Sequence, residues 1–394
     1  MKLFYDSTSA NWYHTNYETV ITMGGEKEII SKQQKGNLED TSFNLKIKNK
    51  HIGPLIGIMS ARKRDGTIAG NGPLFRELQK KLISYHGISF IFTPDGVKDN
   101  FISGYIYLPD RDNWMKVKLP FPDLVYNRVP FRKLEQDKDY CSVLLKLKEK
   151  NILFFNPCFI DKYTLYLLLQ NHPILQEFLP NTEVIHKQTN FQAFLEKYQS
   201  VYLKPTQSAR GKGIFRLKLL NQSEIHLEGL SSREIYPTPL SFWREWESVL
   251  IEENYIVQEE IHSAEYDGKR FDFRILAHAE SEGYQVTGIG IRQSQGQGLT
   301  THLSNGGELL SYELLRSNEH DQFIKTVVDH IGRTLTEQIG FFGEFSIDAG
   351  ISVAGKYYIY EVNSKPMSFD EEEIEKRKIT QLCRLFLKLT DFLE

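Results

Sequence analysis

Apolar and polar positions along this chain fall into short blocks with two periods. Residues 55–60 are a compact apolar run. Asn71-Gly72-Pro73 follows, then apolar positions at helical spacing over 74–86, then a second apolar run over 88–92. Proline suits a first helical turn. The block predicts strand, helix and parallel strand. Residues 102–108 and 114–119, joined by Pro109-Asp110-Arg111-Asp112-Asn113, predict a hairpin; 123–126 a strand; 133–150 a charged helix. The first 50 residues hold mixed polar and aromatic stretches with turn signals such as Gly24-Gly25, which predict a small β-rich segment.

Asn156-Pro157 punctuates the next boundary. Beyond it the pattern predicts a helix over 161–170 and a strand over 201–203 that runs into a glycine-bearing loop. A hairpin over 214–219 and 224–227 follows, then alternating strands over 255–261, 271–277 and 285–292. A long helix over 318–338 precedes two strands, 343–349 and 356–362, and a final helix. Asp370 is placed to cap that helix, with Glu373 at capping-box spacing. Ile379, Leu382, Phe386, Leu389 and Leu393 form a stripe expected to pack in the core. The blocks divide the chain into 1–50, 51–150 and 151–394.

Composition narrows the class. The 394 residues are 40% hydrophobic, 12% aromatic and 25% charged, the profile of a folded chain with two or three domains. A net charge of −3 offers no global field for nucleic acid or an anionic membrane. Cys141, Cys158 and Cys383 are widely spaced and odd in number, which argues against a disulfide framework and fits a reducing cytoplasm. No signal-peptide core opens the chain, and no apolar run approaches the ~18 residues of a membrane span.

Candidate chemistry concentrates in the last strands, Gly343-Glu344-Phe345-Ser346-Ile347-Asp348 and Tyr360-Glu361-Val362-Asn363-Ser364-Lys365-Pro366. A two-residue turn at Ala354-Gly355 would set Asp348 opposite Glu361, with Cβ atoms roughly 4.5–5.5 Å apart. Asn363, two residues on, would share the face of Glu361 and of Tyr357 and Ile359. Adjacent carboxylates repel unless a cation lies between them. Two carboxylates and an amide oxygen are hard ligands suited to Mg²⁺, which also binds substrate phosphates. Earlier, a strand delivers Lys204 into Thr206-Gln207-Ser208-Ala209-Arg210-Gly211-Lys212-Gly213. Small residues let backbone N–H groups approach a phosphate, and lysine adds a point charge; the spacing is not that of a Walker A loop. Tyr255-Ile256-Val257-Gln258-Glu259-Glu260-Ile261, followed by Glu265, is a strand able to face a purine edge and ribose. Arg292 ends the strand Gly288-Ile289-Gly290-Ile291-Arg292 ahead of a glycine loop carrying His302. That strand lacks the spacing of a dinucleotide fingerprint, and Arg292 could stabilise a transferred phosphoryl group.

The order of these features resembles the ATP-grasp superfamily over 151–394. Asn156-Pro157 with Asp161-Lys162-Tyr163, Asp272-Phe273-Arg274, Thr287-Gly288-Ile289-Gly290-Ile291-Arg292 and Glu361-Val362-Asn363-Ser364-Lys365-Pro366 are similar to the YheC/YheD endospore coat-associated family. Gly53-Pro54-Leu55-Ile56-Gly57-Ile58 and Pro122-Asp123-Leu124-Val125-Tyr126-Asn127-Arg128-Val129-Pro130 extend the resemblance into the first half. It implies an α+β fold: two α+β ATP-grasp subdomains over 151–394, a small α/β pre-ATP-grasp domain over 51–150 and a β-rich N-terminal segment over 1–50. It implies ATP and Mg²⁺ as cofactors. Lys162 and Lys204 would meet the phosphates with Ser208, Gly211 and Gly213. Gln258, Glu259 and Ile261 would meet adenine, and Glu265 ribose. Arg292 would act with Lys204 in catalysis, and Asp348, Glu361 and Asn363 would hold the metal. In the family pattern the loop carries a glycine and a serine where this chain has Ser208 and Ala209. His302 stands where peptide-forming members often have asparagine.

The expected function is ATP-dependent carboxylate–amine ligation through an acyl phosphate, on small-molecule or peptide carboxylate and amine substrates. Arg128, which follows a strand of the 51–150 unit, is the candidate for binding the substrate carboxylate, set against a salt bridge to Glu135 or Asp137. The resemblance implies a cytoplasmic protein of the mother cell, or one of the spore coat. Two alternatives remain at this level: a small-molecule kinase on the same fold, and a non-catalytic coat or scaffold protein. Intact metal ligands weigh against the second.

Overall fold

A computed structural model describes all residues except 16–19, 38, 208–211, 295–305 and 394. The first 53 residues form two four-stranded sheets, one around Lys2–Asp6 and one around His51–Gly53. Their apolar faces have no core of their own. Leu3, Trp12 and Met23 share one continuous core with Phe90, Val117 and Val143 of the next unit.

That unit is a six-stranded sheet in the order Asn113–Leu119, Ile102–Leu108, Ile88–Val97, Leu55–Met59, Leu124–Asn127, Leu153–Phe155, and its last four strands are parallel. Helix α1 (Gly72–Ser84) makes the first crossover. Asn71 Oδ1 accepts from Leu74 N–H at 3.2 Å and Pro73 sits in the first turn, as the sequence signals require. Helix α2 (Lys138–Glu149) makes the second. The single helix expected over 133–150 is divided, because Asp137 is extended (φ −72°, ψ 143°) and separates α2 from a 3-10 turn, Arg132–Gln136.

Two α+β lobes follow. Helix α3 (Lys162–Gln170), capped by Asp161, leads into a six-stranded sheet built on Ser200–Pro205 and Tyr255–Glu259. Helices α4 (Gln188–Tyr198) and α5 (Pro239–Glu252) pack on it through Phe191, Phe194, Phe242 and Trp243. Neither helix was expected from the sequence. The signal for α5 is local: Thr238 caps it in a capping box with Ser241, and Pro239 begins it. Helix α4 has no side-chain cap, so its start carries little sequence signature.

The second lobe is centred on Lys269–Glu280, Gly283–Gln293, Glu344–Ile351 and Tyr357–Asn363, all antiparallel. Helix α6 (Asn318–Gln338) covers one face through Val327, Ile331 and Leu335 against Ile275, Phe345 and Ile347. Helix α7 (Glu372–Leu389) lies on the other. Its stripe is core, as expected, for Ile379, Leu382, Phe386 and Leu389, which pack with Leu74, Phe75 and Leu78 of α1 and tie the end of the chain to the 51–150 unit. Leu393 is exposed. Asp370 does not cap α7. Glu371 takes the cap position without a side-chain bond, and Glu375 accepts from the Phe369 N–H at 2.7 Å. No helix among the described residues is long and apolar enough to cross a membrane.

Candidate functional site

Asp348 stands opposite Glu361, and Ser346 opposite Asn363. The route to that register differs from the expected one. The turn has three residues, Val353-Ala354-Gly355, closed by Ser352 N–H to Lys356 O at 2.8 Å and Gly355 N–H to Ser352 O at 2.9 Å, with Gly355 at φ +79°. The extra turn residue is offset by a bulge beside Asp348, where Tyr360 is inserted in the partner strand. The bulge also corrects the face assignment. Ile359 and Val362 both enter the core against α6, so Glu361 and Asn363 lie on the face opposite Ile359.

Cations from separate elements converge on these acids. Lys162, at the start of α3, reaches Glu361 Oε1 at 3.3 Å. Arg292 on Gly283–Gln293 donates through Nε to Asp272 Oδ1 at 2.9 Å and pairs through Nη2 with Asp348 Oδ2 at 3.2 Å. Burial alone would depress Arg292; Asp348 and then Asp272 outweigh it and hold the guanidinium above its usual range. Lys204 is the penultimate residue of the strand Ser200–Pro205 and donates to Gln258 Oε1 at 2.6 Å. Desolvation pulls its ammonium down to about 8, with Lys162 and Arg270 adding to the fall and Glu361 opposing it.

A pocket opens between α3 and the strand Tyr255–Glu259. Lys162, Lys204, Gln258 and Glu361 line it, with Tyr166 and Ile256 among its apolar walls. Gln258 is held by its second bond, Nε2 to Thr182 Oγ1 at 2.8 Å. Tyr166, Thr182 and Tyr360 also line the pocket and were missed, because no local pattern marks a lone tyrosine or threonine as a pocket wall. The remaining nucleotide candidates divide. Glu259 turns its carboxylate to Asn181, accepting from N–H at 2.9 Å and Nδ2 at 3.0 Å. Ile261 and Glu265 lie beyond the strand and do not line the pocket, and Glu265 is exposed. Gly213 has φ +71°, and a Cβ there would stand 2.8 Å from Pro205 Cγ, so a side chain is excluded. Ser208, Gly211 and His302 lie outside the described residues.

Arg128 is not available to a substrate. It is buried, donating through Nη1 to Glu344 Oε1 at 2.9 Å and through Nη2 to the Pro366 carbonyl at 2.9 Å. It joins the 51–150 unit to the second lobe. Its expected alternative partner, Glu135, instead pairs with Lys365 at 2.6 Å. Lys365, within the Glu361–Pro366 segment, is thereby a second link between the same two units.

Asp348, Glu361 and Asn363 fit Mg²⁺ by the chemistry of their donors: two anionic oxygens and one amide oxygen on one sheet face. Among the described residues there is no group of three or more His, Cys, Asp or Glu placed to hold a metal, so the set does not resemble a zinc site. Arg292 and Lys162 neutralise the two acids in the arrangement described.

The family model described as YheC/D like ATP-grasp matches residues 151–393. The endospore coat-associated protein YheD of Bacillus subtilis (strain 168) is 30% identical over 346 residues, covering 80% of this chain and 73% of that protein. The endospore coat-associated protein YheC of the same strain is 23% identical over 305 residues, covering 74% and 84%. Among solved structures, D-alanyl-alanine synthetase A from Vibrio cholerae O1 biovar eltor strain N16961 is 10% identical, covers 86% of this chain and 99% of its own, and superposes with a TM-score of 0.51. At that identity the likeness is one of fold; the ATP-grasp assignment of the two α+β lobes comes from the family model.

Proposed function

The chain belongs to the YheC/D-like ATP-grasp family, and on that premise we propose that it is an ATP-dependent, ADP-forming carboxylate–amine ligase. One observation carries the reading. Lys162, Lys204 and Glu361 line one pocket, Asp348 stands opposite Glu361 in the sheet and Arg292 pairs with Asp348, so that five charged side chains from five separate elements form one connected set. Such a charge pattern suits a polyanion and its counter-cation.

In this reading a carboxylate oxygen attacks the γ-phosphorus of ATP, the bond to the β,γ-bridging oxygen breaks, and ADP departs with the electron pair. The amine then attacks the acyl carbon, phosphate leaves with the C–O pair, and the amine's proton passes to solvent. Lys162 and Lys204 hold phosphates, and Arg292 stabilises charge on the group in transfer. Gln258 and the apolar walls of the pocket receive the purine. Mg²⁺ held by Asp348, Glu361 and Asn363 would supply positive charge to the phosphate oxygens. Catalysis is positioning and electrostatics, and no protein nucleophile is needed. The names of YheD and YheC associate those proteins with the endospore coat. We carry that association, and with it a mother-cell or coat location, to this chain as part of the same proposal.

The test uses MgATP with pooled amino acids and peptides, scoring phosphate release and hydroxylamine-trapped hydroxamate. The parent is expected to form hydroxamate. Glu361→Gln should fold normally and lose roughly 100-fold or more of phosphate release. A folded Glu361→Gln protein that matches the parent would sink the metal assignment. A phosphorylated product without hydroxamate would make the protein a kinase, and no turnover with any pool would favour a scaffold.

A further inference from the structure

With Arg128 committed to Glu344, the acceptor side of the site needs another cation. The 3-10 turn Arg132–Gln136 follows the strand Leu124–Asn127 and sits beyond the carboxyl end of a parallel strand, the edge at which open α/β sheets receive ligands. Arg132 Nη1 donates to the Ile160 carbonyl at 3.0 Å, and the guanidinium lies over the Phe159 ring at 4.9 Å. Ile160 is itself a wall of the nucleotide pocket, so Arg132 is clamped to the pocket's rim.

Glu361, Glu135 and Asp161 act on this group through space, but none is close enough to form an ion pair with it. Glu135, three residues on, is held by other donors: Oε1 accepts from Lys365 Nζ at 2.6 Å and Oε2 from the Phe159 N–H at 2.8 Å. Glu361 is paired with Lys162. Among the described residues no carboxylate forms an ion pair with Arg132. One backbone bond and one ring face thus orient a half-buried guanidinium and leave most of its donors for a ligand. Beside it Phe131 is 48% exposed. Burial weakens the hold of Arg132 on its proton, and Glu361 restores part of it. A partly desolvated cation of this kind gains from an entering anion.

Resting on the ligase reading above, we propose that Arg132, not Arg128, captures the carboxylate that is to be phosphorylated, donating to both of its oxygens. The planar fork matches a carboxylate in shape, which a lysine ammonium does not. A γ-phosphate has related acceptor chemistry, and the experiment separates the two.

The protein, saturated with AMPPNP and Mg²⁺, is melted with pools of amino acids, N-acetylamino acids and peptides, and with the matching amides. Hydroxamate kinetics run in parallel. The parent is expected to be stabilised by a carboxylate pool and not by its amides. Arg132→Ala should lose that shift and raise KM for the carboxylate by roughly tenfold or more, with AMPPNP affinity held within about twofold. Arg132→Lys should recover part of the loss. An Arg132→Ala protein that keeps the carboxylate shift and KM would overturn the assignment while leaving the ligase reading intact. Weakened AMPPNP binding with unchanged carboxylate response would overturn it too, by making Arg132 a phosphate ligand. A parent that binds no carboxylate pool and releases no phosphate would remove both proposals.

Discussion

Desolvation of the Lys204 ammonium brings its pKa down to about 8 from 10.5. Two consequences have opposite signs. In the ligand-free protein the unfolded chain binds more protons between about 8 and 10.5, so stability rises with pH across that window. Nucleotide phosphates favour the charged ammonium, so AMPPNP affinity should fall as pH rises through about 8. Calorimetry across that range in two buffers of different ionisation enthalpy should show proton uptake on binding, and Lys204→Arg should flatten the dependence. Affinity that does not change over this range would remove Lys204 from the phosphate site. The place of Lys204 on the pocket wall has a sequence signal, the strand and glycine-bearing loop on either side of it. Arg128 was misassigned because its partner Glu344 lies 216 residues away.

At the scale of elements, the last hairpin and α7 give different lessons. Strand periodicity located both halves of the hairpin, and the opposition of Asp348 and Glu361 was read correctly. The three-residue turn and the bulge at Tyr360 were not, because each shifts the register by one residue and the two shifts cancel at Asp348. Helix α7 was legible as an amphipathic stripe, but its partner was not. Phe386 is fully buried, with its ring centroid 5.6 Å from Tyr126 and 5.9 Å from Phe155. Phe386→Ala should therefore cost about 3–5 kcal/mol in denaturant melts, against less than about 0.5 kcal/mol for Leu393→Ala on the exposed end. Equal effects would mean that α7 does not dock the second lobe onto the 51–150 unit.

For the molecule as a whole, the junction at Glu344 decides how the units hold together. Tyr126 Oη and Arg128 Nη1 donate to its carboxylate, and Asn156 Nδ2 donates to its carbonyl at 2.9 Å. Burial would raise the Glu344 pKa, but Lys378 and Arg128 outweigh it and hold it below the usual range. His278, 3.8 Å away, is depressed to about 4 by burial. Both folded pKa values lie below their unfolded ones. The stability they contribute is present near pH 7 and is lost as pH falls: first below 6.5, where the unfolded histidine takes a proton, and then as Glu344 protonates. Urea melts from pH 7 down to about 4 should show that decline, with a smaller slope in His278→Gln. Arg128→Met should cost roughly 3–5 kcal/mol at pH 7, since it leaves a buried carboxylate short of a partner. A loss below about 1 kcal/mol would show that Arg128 is not the tether the geometry describes.

The sequence by itself determined the order of strands and helices over most of the chain, the α+β class, the family and the pairing of the two hairpin acids. The elements and their class rest on neighbours within one or two turns of chain, where period and capping act directly; the family rests on the order of motifs along the chain, and the acid pairing on strand alternation with two register shifts that cancel. Only the tertiary structure decided which arginine is spent on the junction and which stands at the pocket rim, and that Lys365 takes Glu135 from Arg132. Those outcomes are competitions among charges brought together from 128–135, 162, 292 and 344–365. Desolvation sets their strength, and desolvation exists only once the units have packed.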